Sequence, residues 1–303
     1  MDKSPLIFDI KKYAINDGPG IRITIFFKGC ALSCKWCHNP ESIPVEQQKM
    51  FSSDKCIGSQ ECIKHCPNEA LTLTSNGIVT NTDICAMCGK CAEVCPTKAI
   101  EMTGELMPIE QVMSQIKREV VLMDTSGGGV TISGGEPLLH HKYLIKLLDA
   151  CGKEGIHRCI DTTGFSSTKV LLEVAAKSEH FLYDLKMMDA EKHKKWTGVS
   201  NVKILENLQI LAAGGMAMNI RIPLIKGVND DDDNIYKSAK FIANLKGNQP
   251  IVNILPFHNI AAKKYEKLGA YYDKGVMDEP DSKRVNEILE IFTMYSINVR
   301  IGG

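Results

Sequence analysis

Arg22-Ile-Thr-Ile-Phe-Phe-Lys28 runs directly into Gly29-Cys-Ala-Leu-Ser-Cys-Lys-Trp-Cys-His38. The first seven residues are rich in β-branched and aromatic side chains, the composition of a strand. The next ten are a glycine-led loop with cysteines at 30, 34 and 37. A strand ending in a chemically active loop is how α/β barrels build their sites, at the carboxyl ends of the strands. The same pattern repeats downstream. Candidate strands Gly129–Ser133, Arg158–Asp161, Phe181–Leu185, Ala217–Pro223, Ile251–Leu255 and Asn298–Ile301 alternate with helical stretches. Those helices are expected at Ile109–Val121, Leu138–Gly152, Ser167–Ala176, Val202–Ala213, Asp232–Leu245 and Asp281–Tyr295. Strands end in Ser133-Gly-Gly-Glu136, Asp161-Thr-Thr-Gly164 and Asp184-Leu-Lys186. Alternation of this kind implies a parallel sheet covered by helices. The expected fold is α/β, an incomplete (β/α) barrel.

Residues 48–103 break the alternation and read as an inserted domain, leaving 1–47 and 104–303 to the barrel. The insert holds a short repeat, Cys56–Pro67 against Cys85–Pro96. Of twelve cysteines, ten fall between Cys30 and Cys95. Closely spaced cysteines in a cytosolic chain are metal ligands or catalytic groups more often than disulfides. Cys151 and Cys159 stand apart and read as small buried hydrophobes. Thirty-six basic residues balance 36 acidic ones. That neutrality argues against nucleic acid or an anionic membrane as partner. No apolar run approaches the ~20 residues of a membrane helix, and Met1–Lys12 carries no export signal. The chain is expected in the cytoplasm.

Three thiolates on one loop can hold three irons of a cubane and leave a fourth iron without a protein ligand. A structural zinc site completed by His38 is the competing reading of the spacing. Cysteines spaced three and then two residues apart, with Trp36 before the last, resemble the radical S-adenosylmethionine (SAM) superfamily. Asp17-Gly-Pro-Gly-Ile-Arg22 before them and Asn39-Pro-Glu41 after them narrow the resemblance. It is to the activating enzymes of glycyl radical enzymes, of which pyruvate formate-lyase activase is the best-known type. Ser133-Gly-Gly-Glu-Pro137, Asp161-Thr-Thr-Gly164, Tyr183-Asp-Leu-Lys186, Arg221 and Leu255-Pro-Phe-His258 extend it over most of the chain.

The resemblance implies a 4Fe–4S cluster on Cys30, Cys34 and Cys37 whose open iron takes SAM. One electron then breaks the sulfur–C5′ bond, giving methionine and a 5′-deoxyadenosyl radical. That radical takes hydrogen from a backbone glycine of a partner glycyl radical enzyme, and reduced flavodoxin or ferredoxin supplies the electron. The SAM site is expected from Trp36, Cys37, His38, Gly134, Gly135, Glu136, Asp184, Leu185, Lys186, Arg221 and His258. Gly134 and Gly135 let backbone approach a ligand, and Glu136 could accept from the methionine ammonium. Without the resemblance, these glycines read as a plain strand-to-helix turn, and Asp184 with Lys186 as an ion pair at the barrel rim. Asp161, Thr162 and Asp184 are expected to hold a monovalent cation, since oxygen suits a hard ion. Asp17 with Gly18, Pro19 and Gly20 is first a turn signature; the resemblance makes Asp17, Gly18 and Arg22 part of the surface that receives the target's glycine loop. Asp230–Asp233 reads as acidic residues at the positive start of a helix.

The insert resembles a bacterial two-cluster ferredoxin, an α+β iron–sulfur domain. Cys85, Cys88, Cys91 and Cys95 have its full spacing, and in that motif the fourth cysteine of each half serves the other cluster. One cluster is thus expected on Cys66, Cys85, Cys88 and Cys91. The second has Cys56, Cys62 and Cys95, with Ser59 or another group as fourth ligand, as 4Fe–4S or 3Fe–4S. A zinc-stapled insert is the alternative. Two rival functions differ in class: a radical SAM enzyme acting on a small molecule, and a ferredoxin-type electron carrier with a barrel appended.

Overall fold

The computed structural model describes residues 4–75, 77–272 and 277–302. Its strands, in chain order, are β1 (Leu6–Ala14), β2 (Arg22–Phe27), β3 (Gln48–Phe51), β4 (Leu71–Thr74), β5 (Gly77–Thr80), β6 (Ile100–Thr103) and β7 (Glu105–Leu106). They continue with β8 (Gly129–Gly134), β9 (Arg158–Thr162), β10 (His180–Asp184), β11 (Met218–Leu224), β12 (Ile251–Pro256) and β13 (Val299–Ile301). One sheet of nine strands runs β13-β12-β11-β10-β9-β8-β2-β1-β7. From β2 to β13 all neighbours are parallel. Each new strand joins the same side of its predecessor, which is the one-way winding of a barrel. β1 and β7 extend the β2 edge antiparallel. The edges are β13 and β7, so the barrel is partial.

Side-chain alternation divides the sheet into two faces. Ile23, Ile25, Phe27, Val130, Ile132, Ile160, Phe181, Tyr183, Ile220, Ile222, Val252 and Ile254 join the helices in one buried cluster. The other face carries Arg22, Thr24, Thr131, Ser133, Asp161, Asp184, Asn219, Arg221 and Asn253. A purely structural parallel sheet is apolar on both faces. Here the concave face is polar, and its groups are paired with one another.

β1 was not anticipated. Asp9, Lys11 and Lys12 interrupt its apolar pattern, and most of it is only partly covered. The helix expected at Ile109–Val121 is two, Ile109–Lys117 and Val120–Ser126, and Glu119 between them pairs with Lys12 at 2.7 Å. The Leu138–Gly152 stretch begins as a 3-10 turn, Pro137–His140, before the helix His141–Lys153. Ala190–Thr197 is an unanticipated helix. Its sequence is nearly all polar, and it starts where Asp189 accepts from the Lys192 backbone N–H at 2.7 Å.

The insert leaves the sheet through an antiparallel ribbon, β3 with β6, from Gln48 opposite Thr103 to Phe51 opposite Ile100. β4 and β5 make a hairpin, and the two halves of the repeat give the short helices Glu61–Lys64 and Lys90–Glu93. Cys62, Leu71, Ile78 and Ile100 are its small core. Lys28, at the end of β2, pins the ribbon's base. It donates to Gln48 Oε1 and Thr103 Oγ1, each at 3.2 Å, and to the Glu41 carbonyl. Burial lowers the Lys28 pKa to about 8.

Candidate active site

The loop after β2 is closed on itself. Gly29 N–H donates to the Ser42 carbonyl at 2.7 Å and Cys30 N–H to that of Ile43 at 3.0 Å. Gly29 is required by crowding and by its φ of +98°: a Cβ there would stand 2.7 Å from Val45 Cγ1 and 2.9 Å from His140 Nε2. The middle of the loop hangs on the Ala190–Thr197 helix, with Ser33 N–H on the Thr197 carbonyl at 2.8 Å and Lys35 N–H on that of Trp196 at 3.1 Å. Trp36 packs on Trp196, ring centres 6.4 Å apart. His38 lies against Phe257 at 5.8 Å.

Cys30, Cys34 and Cys37 line one cavity of about 540 Å³ at the carboxyl ends of the strands. Trp36, His38, Gly134, Gly135, Asp161, Thr162, Asp184, Lys186 and Arg221 share its walls, as does Asp17. The structure thus brings together most of the expected site from six separate segments. Burial pushes all three thiols up, Cys37 to about 12. Isolated, they are neutral thiols; a bound positive centre is what makes such groups thiolate ligands.

Arg221 is the hub of the charged wall. Its guanidinium donates to Asp161 Oδ1 and, through Nε at 3.1 Å, to Asp184 Oδ1. Lys186 Nζ meets Asp184 Oδ2 at 2.7 Å, and Ser133 Oγ donates to Asp161 Oδ2 at 2.6 Å. Two cations balance two carboxylates. Burial alone would raise Asp184, but Lys186 and Arg221 outweigh it and hold its carboxyl below the usual range. Burial wins at Asp161, which is raised. The carboxylates of Asp161 and Asp184, expected around a monovalent cation, thus accept from Arg221, Lys186 and Ser133 in this structure. Thr162 is also committed elsewhere, its hydroxyl donating to Glu136 Oε1 at 2.6 Å.

Five expected site residues, Glu136, Leu185, His258, Arg22 and Gly18, do not line this cavity. Glu136 is 1% exposed and does not line it. Its carboxylate accepts from Thr162 Oγ1, Thr163 N at 2.9 Å, Thr163 Oγ1 and Leu138 N at 3.2 Å. It ties β8 to β9 and caps the following turn. Leu185 belongs to the helix-side core. His258 is largely exposed and pairs with Glu279 at 3.6 Å, lining an adjoining open groove instead. Arg22, expected on the surface that receives the target loop, is 1% exposed. Its Nε donates to Thr131 Oγ1 at 2.7 Å, and its other nitrogens to the carbonyls of Pro19 at 2.8 Å and Val130 at 2.6 Å. It anchors the Asp17–Gly20 turn inside the barrel. Gly18 sits between that anchor and Cys159, where a Cβ would come within 3.2 Å of both. Asp17 alone of the three reaches the cavity, with Oδ2 accepting from Thr24 Oγ1 at 2.8 Å.

Ser133 and Phe257, both on the cavity wall, were given no role in the sequence reading. Ser133 was findable: it alternates with Thr131 on the inward face of β8. Lys264, which holds Asn39 and Glu41, was not findable, because it lies 225 residues from Asn39.

The insert has two further cavities. One is lined by Cys66, Cys85, Cys88 and Cys91, with Lys49 and Met102. The other is lined by Cys56, Ser59, Cys62 and Cys95, with Thr97. Among the described residues, no three His, Cys, Asp or Glu side chains converge on a single metal-ion position. No helix of the described residues is long and apolar enough to cross a membrane.

A partial parallel barrel with three cysteines at the end of its first parallel strand is the radical SAM architecture, and residues 24–239 match the Radical SAM superfamily. The chain is 39% identical to the trans-4-hydroxy-L-proline dehydratase activating enzyme of Clostridioides difficile, over 99% of this chain and 100% of that one. It is 38% identical to the (2S)-3-sulfopropanediol dehydratase activating enzyme of Klebsiella oxytoca, over 100% and 99%. A solved domain of a pyruvate-formate lyase-activating enzyme from Bacteroides vulgatus, 40% identical, superposes with a TM-score of 0.50, covering 58% of this chain and 99% of that one. The chain belongs to the radical SAM superfamily and, within it, to the activating enzymes of glycyl radical enzymes. Membership implies SAM and a 4Fe–4S cluster.

Proposed function

We propose that this chain activates its glycyl radical enzyme by abstracting hydrogen from one backbone glycine, with SAM and its cluster seated in the barrel cavity. When bound, they supply the one-electron cleavage that generates a 5′-deoxyadenosyl radical. Cys30, Cys34 and Cys37 fit as the three protein ligands: they are soft donors on one loop, facing one void. Gly134 and Gly135 leave that wall free of side chains. Asp184 and Lys186 contact SAM, and Arg221 keeps Asp184 and Asp161 fixed and desolvated at modest cost because the charges are paired. Trp36 and Phe257 exclude water from the side of His38.

One observation carries the choice of a protein substrate. The cysteine cavity shares Asp17, Arg221, Leu255 and Pro256 with an open groove of about 710 Å³ beside β13. A loop of polypeptide entering that groove reaches the cavity floor. The insert is assigned two iron–sulfur clusters, and each expected set of thiols lines its own void. A reduced flavodoxin or ferredoxin is the electron donor, and the chain works in the cytoplasm. The two relatives named above activate dehydratases, which makes a dehydratase the target to try first.

The test mixes the anaerobically reduced enzyme, SAM and a candidate target deuterated at its glycine α-carbons. A glycyl radical in electron spin resonance, with deuterium in 5′-deoxyadenosine, is expected. Deuterium arriving only from a small metabolite would replace this reading with a small-molecule enzyme. Absence of SAM cleavage with every donor would leave an electron carrier.

A further inference from the structure

Besides its own closing bonds and its seat on Trp196 and Thr197, the cysteine loop is held by a side chain from far along the chain. Lys264 stands on the short helix Ala262–Lys267, which follows β12 through Phe257 and the turn Asn259–Ala261. Its Nζ lies 2.7 Å from Asn39 Oδ1 and also donates to Glu41 Oε1. Glu41 is 6% exposed, and its second oxygen has no hydrogen-bond partner. Among the described residues its ion pair is with Lys264. Lys264 does not line the cysteine cavity.

We infer that Lys264 is a positioning residue for the cysteine loop: through Asn39 and Glu41 it fixes the Cys37–His38 end of the loop on the β12 side of the cavity. The inference rests on the assignment of Cys30, Cys34 and Cys37 as ligands of the SAM-site cluster.

The geometry shows why one lysine governs the whole loop. Asn39 and Glu41 flank Pro40 at the start of a 3-10 turn, Pro40–Ser42, that begins three residues after Cys37. The same turn closes the loop at its other end. Its Ser42 carbonyl accepts from Gly29 N–H, beside Cys30, and its Glu41 carbonyl accepts from Lys28. Ser42 is tied inward as well, its hydroxyl donating to the Asn39 carbonyl at 2.7 Å. Both outer cysteines are therefore indexed to this one turn. A buried carboxylate stripped of its cation does not stay in place as an ion. Without Lys264, the Glu41 carboxylate loses its ion-pair partner and swings toward water, and the swing drags the turn that holds Cys30 and Cys37. Asn39 loses its donor at the same time. The lysine stem is partly exposed, so removing its charge opens no void in a core.

The test uses the cluster-loaded enzyme with Lys264→Met, Lys264→Arg, Glu41→Gln and the Lys264→Met/Glu41→Gln pair. The readouts are the electron spin resonance line shape of the reduced cluster with and without SAM, the rate at which a chelator removes the SAM-responsive signal, and KM for SAM against kcat. Lys264→Met is expected to broaden the SAM-responsive signal, hasten its loss to chelator and raise KM. Lys264→Arg should restore much of the parent behaviour, because a guanidinium can reach both acceptors. The double variant should be no worse than the worse single, as residues acting through one contact are not additive. Should Lys264→Met unfold, Lys264→Gln carries the same measurement, with thermal melting checked against the parent. Parent-like line shape and chelator resistance in Lys264→Met or Lys264→Gln would overturn the inference, as would full additivity in the pair. A parent enzyme with no SAM-responsive signal would overturn the ligand assignment itself and this inference with it.

Discussion

The barrel cavity and the insert cavities are built from the same side chain in opposite settings. In the barrel, three thiols open onto about 540 Å³ of space walled by Asp161, Asp184, Lys186 and Arg221. In the insert, seven cysteines divide between voids of about 20 and about 10 Å³, and the charged side chains on their walls are Lys49 and Lys90, with no carboxylate. The barrel cavity has room for a further molecule beside a cysteine-held group, and charged groups to orient it. The insert voids lack that room, and no carboxylate on their walls balances the two lysines. Cys88 and Ser59, each on one of those voids, are exposed, whereas burial raises every barrel thiol. The contrast fits the proposed division, with SAM cleaved in the barrel cavity and iron–sulfur clusters held in the insert.

The strongest way to break this comparison is to remove one cysteine from each region. Cys34→Ala should abolish conversion of SAM to 5′-deoxyadenosine and methionine. Cys88→Ala should lower iron content but leave measurable cleavage with a small-molecule reductant. Equal loss in both variants, at equal SAM-site iron, would mean that the insert takes part in the chemistry itself.

Next in size is the charged wall, which has no counterpart in the insert. Arg221→Met leaves Asp161 and Asp184 without their shared cation. Removing one partner of a buried ion pair costs about 3–5 kcal/mol. Thermal melting of the iron-free protein should show a loss of that order, with Arg221→Lys intermediate. A melting point unchanged by Arg221→Met would show the carboxylates to be solvated and the cavity less dry than drawn. Arg22 sharpens the point from inside the barrel. Its donors satisfy Thr131, the buried carbonyl of Val130 and the part-buried carbonyl of Pro19. Arg22→Met should cost about 1–3 kcal/mol by stranding acceptors, and it should change the melting point more than KM for the target protein. A larger effect on target KM than on melting would return Arg22 to the docking surface.

How much of this was readable beforehand follows from what each residue answers to. The parallel strands were legible because each is a short apolar run with its own turn, a local signal. The cysteine loop was legible because its spacing is itself the chemistry. The partners of Glu136 were hidden because a carboxylate beside two glycines looks the same whatever it meets, and Thr162 and Thr163 lie across a strand crossover. Arg22 was misread for the same reason: its partners are more than 100 residues away in sequence. β1 was missed because its outward face is charged, and Ala262–Lys267 because six residues carry too little periodicity. Local pattern fixed which side chains matter chemically. Long-range packing decided which way they point.

The smallest expected effect lies inside the insert, where its two cavities differ by one atom type. Ser59 lines the second cavity at the position where the other has a cysteine. A serine oxygen is a harder ligand than a thiolate, and its high pKa makes it a poorer partner for iron in a sulfide cluster. Gly58 beside it faces open space, so solvent reaches this corner. The Cys56, Cys62 and Cys95 cluster should therefore lose iron first and differ in potential from its neighbour, since ligand type and solvent access both tune clusters. Ser59→Cys should raise the iron retained after brief exposure to air without abolishing SAM cleavage, because the catalytic cysteines are in the barrel. Iron and sulfide counts, with electron spin resonance of oxidised samples to detect a 3Fe–4S centre, measure this directly. A parent protein that keeps every four-iron cluster intact through mild oxidation, and does so equally as Ser59→Ala, would mean that another group caps the corner. Thr97, whose hydroxyl is 3.9 Å from Cys95 Sγ on the same cavity wall, would then be the residue to change next.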